Sequence, residues 1–418
     1  MKSTIFTEDV VPQAPDDPHY GLRAAFRADT SDQKVDLIIG VYRDDDGKPW
    51  NLPVVKKAEA AFQRDATRNH EYLPITGLPS FTLAAQKLIL GTDSPAIKEN
   101  RVCTVQTISG TGAVHLGGLF MARNLSHPPP KLYLPTPTWA NHNGIFTNVG
   151  LTVDWYPYYS LETKLLDFDR MISTVRQAPP HSIILLHACA HNPTGIDPTE
   201  DQWKEIAQVI YETNLIPFFD CAYQGFASGS ISKDNFAIRH FIELGIDMLI
   251  AQSFSKNLGL YGQRVGCLHI VVASGQEDGT ATSDAIKRIS SQVSALQRAE
   301  ISNPPIYGAQ LASIVLNTPA LFEEWQLDLR TMADRILQMR QRLMRDLDAL
   351  GTPGQWDRLV SQIGMFAYTS LTVAQVRELR GTWHVYLTED GRISVAGLNT
   401  RNVTYCAQAI DDVVRRIG

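Results

Sequence analysis

The sequence predicts an α/β protein with a mostly parallel sheet covered by helices, and two observations carry that reading. Between about residues 100 and 270, apolar strand-like runs alternate with helical patterns, which is the rhythm of parallel strands joined by crossover helices. Beyond residue 320 the pattern changes to one long helix followed by short strand-like runs, which predicts a separate, smaller α+β unit. At 418 residues, 44% hydrophobic and 20% charged, the chain is long enough for a large core and a second domain.

The first twenty residues carry early acidic residues and prolines. They show neither the apolar stretch of a secretory signal nor the arginine bias of a transit peptide. No apolar run has the length to span a bilayer. Five cysteines, Cys103, Cys189, Cys221, Cys267 and Cys406, are scattered without a CxxC pair, a usage that fits a reducing compartment, so a cytoplasmic location is expected. Asp44-Asp45-Asp46 reads as a turn. With a net charge of −6 and basic residues spread along the chain, no footprint for nucleic acid is visible, and the expected partners are small molecules or another protein chain.

The predicted strands are Val102–Thr107, Lys131–Leu134, Ser182–His187, Ile216–Asp220, Met248–Ser253 and Gly266–Val272. A helical run from Ala113 to Asn124 follows the first of them. A long helix is predicted from about Leu321 to Leu350, because Leu329, Met332, Ile336, Met339, Leu343 and Leu347 recur at helical spacing. Its arginines from Arg330 to Arg345 are expected on the solvated face. Met365–Tyr368, His384–Leu387 and Ile393–Val395 read as the short strands of the last unit.

In open α/β sheets ligands bind beyond the carboxyl ends of the strands, so chemistry is sought there. Ser109-Gly110-Thr111-Gly112 follows the first strand and precedes the helical run. Free amides and hydroxyls at a helix start can hold a phosphate, although the same residues serve as an ordinary cap. His115 stands where a dinucleotide fingerprint needs its third glycine, and no GxxxxGK[ST] occurs, so nicotinamide and nucleotide readings lose ground. His187 and His191, in the run ending Asn192-Pro193-Thr194-Gly195, have no third metal ligand at a recognisable spacing, and no metal is expected. Pro193 forces the residues before it to be extended, directing Asn192 across the sheet end.

Phe218-Phe219-Asp220 ends an apolar strand in a carboxylate, which once buried must meet a cation or strong donors. Ser253-Phe-Ser255-Lys256-Asn-Leu-Gly-Leu-Tyr-Gly262-Gln-Arg264 follows another apolar strand. One sheet thus supplies an amine nucleophile, a buried anion, a hydroxyl-rich anion site and an arginine. A phosphate-bearing aldehyde cofactor with a protonatable ring nitrogen needs those four together.

These segments resemble the aspartate aminotransferase family, class I of the fold type I pyridoxal 5'-phosphate (PLP) enzymes. The likeness runs from the arm Val11-Pro-Gln-Ala-Pro-Asp-Asp-Pro18 to Gly391-Arg392-Ile-Ser-Val-Ala-Gly397. It implies a seven-stranded sheet in a large PLP domain, residues 51–320. It also implies a small domain from 14–50 plus 321–418, and an arm, 1–13, reaching a neighbouring subunit. Lys256 would bond the cofactor covalently and carry protons, Asp220 would pair with its ring nitrogen, and Tyr223 and Asn192 would hold its phenolic oxygen. Trp139 would cover its face, with His142 and His187 supporting Trp139 and Asp220. Ser109, Gly110, Thr111, Ser253, Ser255 and Arg264 resemble the phosphate cradle, completed by Tyr72 of the partner subunit. Arg392 matches the arginine for the substrate α-carboxylate, and Arg298 the one lent across a homodimer to the distal carboxylate, although it also suits an interfacial salt bridge. Ile39 and Gly40 resemble a segment that closes over substrate.

The resemblance implies transamination of L-aspartate with 2-oxoglutarate by a ping-pong route. The alternatives are a related transaminase preferring aromatic or sulfur-bearing dicarboxylate analogues, and a PLP lyase or decarboxylase. The sequence departs from the pattern at Ile38, Glu300, Ile301, Asp390 and Ser394. Glu300, two residues from Arg298, is a potential counter-charge to it.

Overall fold

The computed structural model describes residues 4–15, 17–126, 128–274 and 280–417. Residues 1–3 of the expected arm lie outside these; residues 4–13 are exposed and form neither helix nor strand. The strands in chain order begin with β1 (Val35–Asp36), β2 (Val102–Ile108), β3 (Leu132–Thr136), β4 (Val153–Pro157), β5 (Ile183–His187) and β6 (Ile216–Cys221). They continue with β7 (Met248–Ser253), β8 (Val265–Val271), β9 (Phe366–Tyr368), β10 (Val385–Tyr386) and β11 (Arg392–Ser394).

Seven of them form one sheet in the order β2-β8-β7-β6-β5-β3-β4. Strand β8 runs antiparallel to both of its neighbours, and the remaining pairs are parallel. Every residue of β5, β7 and β8 is buried, the signature of strands covered on both faces by helices. All six predicted strands are present. The seventh, β4, was not among them: it is the sheet edge, and of Val153-Asp154-Trp155-Tyr156-Pro157 only Tyr156 is buried. The strand is short, carries one charge at Asp154 and ends in Pro157, and a proline demotes such a run to an edge strand or to no strand at all.

The helix after β2 starts at Ser109, four residues before the expected Ala113. Its glycines lower intrinsic helix propensity, but the first turn is held from outside. The Ser109 amide donates to the Arg264 carbonyl (3.1 Å). A side chain at Gly266 would strike the Ser109 backbone at 2.5 Å, and one at Gly110 would meet Ser253 Cβ at 3.0 Å. Both glycines therefore let the helix start close against β7 and β8.

The long helix runs Pro319–Ala349, and all six expected apolar residues are buried along it. One arginine departs from the expected solvated face. Arg340 is buried and donates to the carbonyls of Leu359 (3.0 Å), Gly364 (2.8 Å) and Phe366 (2.5 Å). Burial pushes its pKa down to about 9, which still leaves it charged at neutral pH. The guanidinium fork matches three carbonyls turning out of the Leu359–Phe366 loop, a demand that helical spacing does not reveal. Near the ends of the chain, β1 pairs in parallel with β10, and β9 pairs antiparallel with β11.

Candidate active site

Asp220 is the next-to-last residue of β6, Ser253 ends β7, His187 ends β5, and Trp139 follows β3. The carboxyl ends of the parallel strands thus gather the expected residues at one edge of the sheet. Asp220 Oδ2 lies 3.2 Å from His142 Nε2, while no partner for its second oxygen occurs among the described residues. Burial opposes ionisation of Asp220, but the His142 hydrogen bond and nearby Lys256 outweigh it and hold the carboxyl below its ordinary pKa. The carboxylate is therefore charged and has one oxygen free to accept. His142 is fixed in turn by Thr138, whose Oγ1 is 2.8 Å from its Nδ1 and 3.1 Å from His187 Nε2. Trp139 packs edge-on against His142, with centroids 5.1 Å apart.

Lys256 follows β7 and places its Nζ 5.0 Å from the centroid of the Tyr223 ring. Burial draws its pKa below the ordinary lysine value; Asp220 opposes that shift and Arg264 adds to it. A desolvated amine of this kind gives up its proton more readily than a surface lysine. Tyr223 is buried, and its hydroxyl accepts from Asn192 Nδ2 (3.4 Å).

The three serines form one hydroxyl cluster: Ser109 Oγ is 2.9 Å from Ser255 Oγ and 3.4 Å from Ser253 Oγ. Arg264 reaches Ser255 Oγ at 3.4 Å. No side chain caps the helix that begins at Ser109, so the amides of its first turn, including Gly110 and Thr111, face this cluster without competition. Hydroxyls, uncapped amides and a guanidinium make a phosphate site.

Arg392 is buried over the Phe366 ring (4.4 Å), its guanidinium donating to the Ile38 carbonyl (2.7 Å) and to Asn192 Oδ1 (3.5 Å). Its Nε is buried and has no partner among the described residues. The Ile38 contact was not legible beforehand, because a backbone carbonyl has no sequence signature. Ile38 itself is fully buried against Leu22 and Tyr386, with Ile39 partly buried beside it, and Gly40 backs onto the Phe366 ring. His19 was also missed. It sits in the first turn of the helix Pro18–Ala28, one turn before Leu22, and its pKa is lowered by burial first and by Arg392 second. Asp390 anchors the turn before Arg392, accepting from the Thr388 hydroxyl (2.5 Å), the Arg392 amide (3.2 Å) and the Tyr368 hydroxyl (2.8 Å).

Two expected residues stand apart from this constellation. Tyr72 is 82% exposed, and Arg298 is exposed and donates to Ser302 Oγ. Glu300 does not pair with Arg298; its carboxylate lies 3.1 Å from His115 Nε2. On a helix, positions two apart point to different faces, which separates the two charges that sequence proximity placed together.

An amine beside a buried phenol, a charged carboxylate with a free oxygen and a phosphate cradle at the same sheet edge define an enzyme that works through pyridoxal 5'-phosphate. The model of the aminotransferase class I and II family matches residues 32–410. The chain belongs to that family: it is an aminotransferase, acting on amino and keto acids. It is 47% identical over 422 residues to the cytoplasmic aspartate aminotransferase of Saccharomyces cerevisiae, with 99% of this chain and 98% of that protein covered. A solved structure of aspartate aminotransferase from the cytoplasm of that yeast superposes with a TM-score of 0.95 at 46% identity, covering 99% of this chain and 100% of that one. An aromatic-amino-acid aminotransferase from Burkholderia pseudomallei, solved covalently bound to pyridoxal phosphate, superposes with a TM-score of 0.93 at 40% identity, covering 99% and 100%.

Proposed function

We propose that this aminotransferase moves the amino group of L-aspartate to 2-oxoglutarate, releasing oxaloacetate and L-glutamate. The observation that carries the reading is Arg392, a buried guanidinium whose Nε has no partner among the described residues. A planar fork with a free donor in a dry site selects a carboxylate.

Bound PLP supplies an electrophilic aldehyde and an electron-accepting ring. The free oxygen of Asp220 would hold the proton on the ring nitrogen, with His142 and Thr138 fixing its angle. Tyr223 and Asn192 would hold the phenolic oxygen, and Trp139 would cover the ring. Ser109, Gly110, Thr111, Ser253, Ser255 and Arg264 would hold the phosphate. Lys256 Nζ would take the proton from the substrate α-carbon and return it on the far side of the transfer. Ile39 and Gly40 would border the substrate near Arg392. The division into a large domain, residues 51–320, and a small domain from 14–50 and 321–418 is supported by the pairing of β1 with β10. A cytoplasmic location is supported by five free, buried cysteines.

The test of substrate is a half-reaction. L-Aspartate should bleach the visible absorbance of the holoenzyme and 2-oxoglutarate should restore it; an unchanged spectrum with aspartate, but bleaching by aromatic amino acids, would replace the aspartate reading with the aromatic one. Glu300→Asn should leave the KM for L-aspartate within about twofold of the parent, since its carboxylate engages His115 rather than Arg298 and exposed charges are largely screened by salt. A several-fold fall in KM would show that the carboxylate opposes substrate after all.

We further propose a homodimer in which Tyr72 of the partner subunit completes the phosphate site and the partner subunit's Arg298 meets the distal carboxylate. The exposure of both residues supports this. Lys256→Ala and Arg298→Ala homodimers should each be poor catalysts. In a mixed dimer one site loses both groups and the other keeps both, so the purified heterodimer should reach about half the parental rate if sites act independently. A correctly folded heterodimer that stays inactive would remove the cross-subunit role of Arg298.

A further inference from the structure

A second cleft, with a volume of about 570 Å³, opens between the helices Pro79–Leu90, Ile306–Asn317 and Pro319–Ala349 and the short turn of helix Ile231–Asp234. Neither Lys256 nor Arg392 is among its lining residues. Three cations line it, Lys87, Arg239 and Arg330, against one carboxylate, Asp93. The side chains of all three cations lack a hydrogen-bond or ion-pair partner among the described residues. Arg239 is half-buried, while Lys87 and Arg330 are exposed, so the cleft offers three uncompensated cations to an anion from solvent. The floor is apolar, formed by Leu88, Leu316, Phe322 and Leu329.

We propose that this cleft is a binding site for a small organic phosphate, its anionic head on Arg239, Arg330 and Lys87 and its carbon skeleton on the apolar floor. The volume falls within the range of roughly 300–1,000 Å³ typical of small-molecule sites. Three cations lining one cleft favour a multiply charged head, and its apolar residues favour an organic ester over a bare ion. Hydrogen bonds from residues behind the cleft hold two of its wall segments, around Leu88 and Ile231. The Asp234 carboxylate accepts from the amides of Gly225 (2.7 Å), Ala227 (3.1 Å) and Ser228 (3.1 Å). Gln224, next to Tyr223, donates to the carbonyls of Leu88 (3.0 Å) and Ile231 (3.3 Å). Asn257, next to Lys256, donates to the Gln224 carbonyl (3.4 Å). Preorganisation of this kind lowers the entropic cost of binding.

The test titrates phenyl phosphate into cofactor-saturated enzyme by calorimetry, with inorganic phosphate as the control. One saturable site per chain is expected, with the ester binding more tightly than the bare ion. Arg239→Gln and Arg330→Gln should each weaken binding by about tenfold or more, the effect of removing a charge-assisted contact, while transamination rates stay at the parental value and report an intact fold. Absence of saturable binding, or binding unaffected by both substitutions, overturns the site. Equal affinity for phosphate and phenyl phosphate overturns the organic-ester assignment.

Discussion

Replacing Lys256 with alanine is expected to leave a folded protein that still retains its cofactor, while aspartate turnover falls by at least about 10⁴-fold, the upper end of what one positioned acid–base contributes. The fold should survive because the structural hydrogen bond at this position comes from the backbone, where the Lys256 carbonyl accepts from the Gly259 amide (3.0 Å). The hydroxyl cluster of Ser109, Ser253 and Ser255 is held by its own contacts and does not involve the lysine. Turnover has no such substitute. No other amine belongs to the constellation, and Tyr223, whose pKa burial and Asp220 push up, cannot act as a base at neutral pH. Steady-state assays with absorbance spectra of the purified variant make the comparison. A rate near the parent's would move the proton-carrying role to another residue.

Asp220→Ala should cost roughly 10²–10³-fold in turnover, the scale of removing one preorganised electrostatic partner. It also removes the acceptor of His142, a fully buried ring, and an orphaned buried donor destabilises by about 1–3 kcal/mol. Asp220→Asn separates the two effects. The amide carbonyl can still accept from His142, so denaturation should stay close to the parent, while the negative charge is gone and turnover should fall nearly as far as in Asp220→Ala. Parental activity in Asp220→Asn would mean that the charge is not used and that only the shape of the His142 contact matters.

The residues that were legible in the sequence share one property: each carries a chemistry out of keeping with its place. Lysine between an apolar strand and a glycine-rich turn, or aspartate closing a run of phenylalanines, conflicts with burial unless something occupies the site. Thr138 raises no such conflict, since a threonine in a loop needs no explanation, yet it bridges His142 and His187. The Ile38 carbonyl that grips Arg392 is a backbone atom and has no signature at all. Edge strand β4 is obscured by its shortness and its closing proline, and Arg340 by a helical periodicity that describes apolar residues but not the carbonyls of a distant loop. Glu300 lies two residues from Arg298 in sequence, yet its direction depends on helix phase and on His115, 185 residues away.

That last kind of separation has a consequence for how the chain acquires its site. Ser109 and Ser255 meet across 146 positions, Arg392 and Asn192 across 200, and Arg392 and the Ile38 carbonyl across 354. Closing such loops costs entropy before any contact rewards it, and a fold dominated by distant pairings is slow to form. The serine hydroxyls of the phosphate site all lie before β8, whereas the segment around Ile38 finds its partners Tyr386 and Arg392 only near the end of the chain. The residues for the cofactor's phosphate and the arginine for a carboxylate are thus separated along the chain, and only the closing of its longest loops brings the two grips to one site.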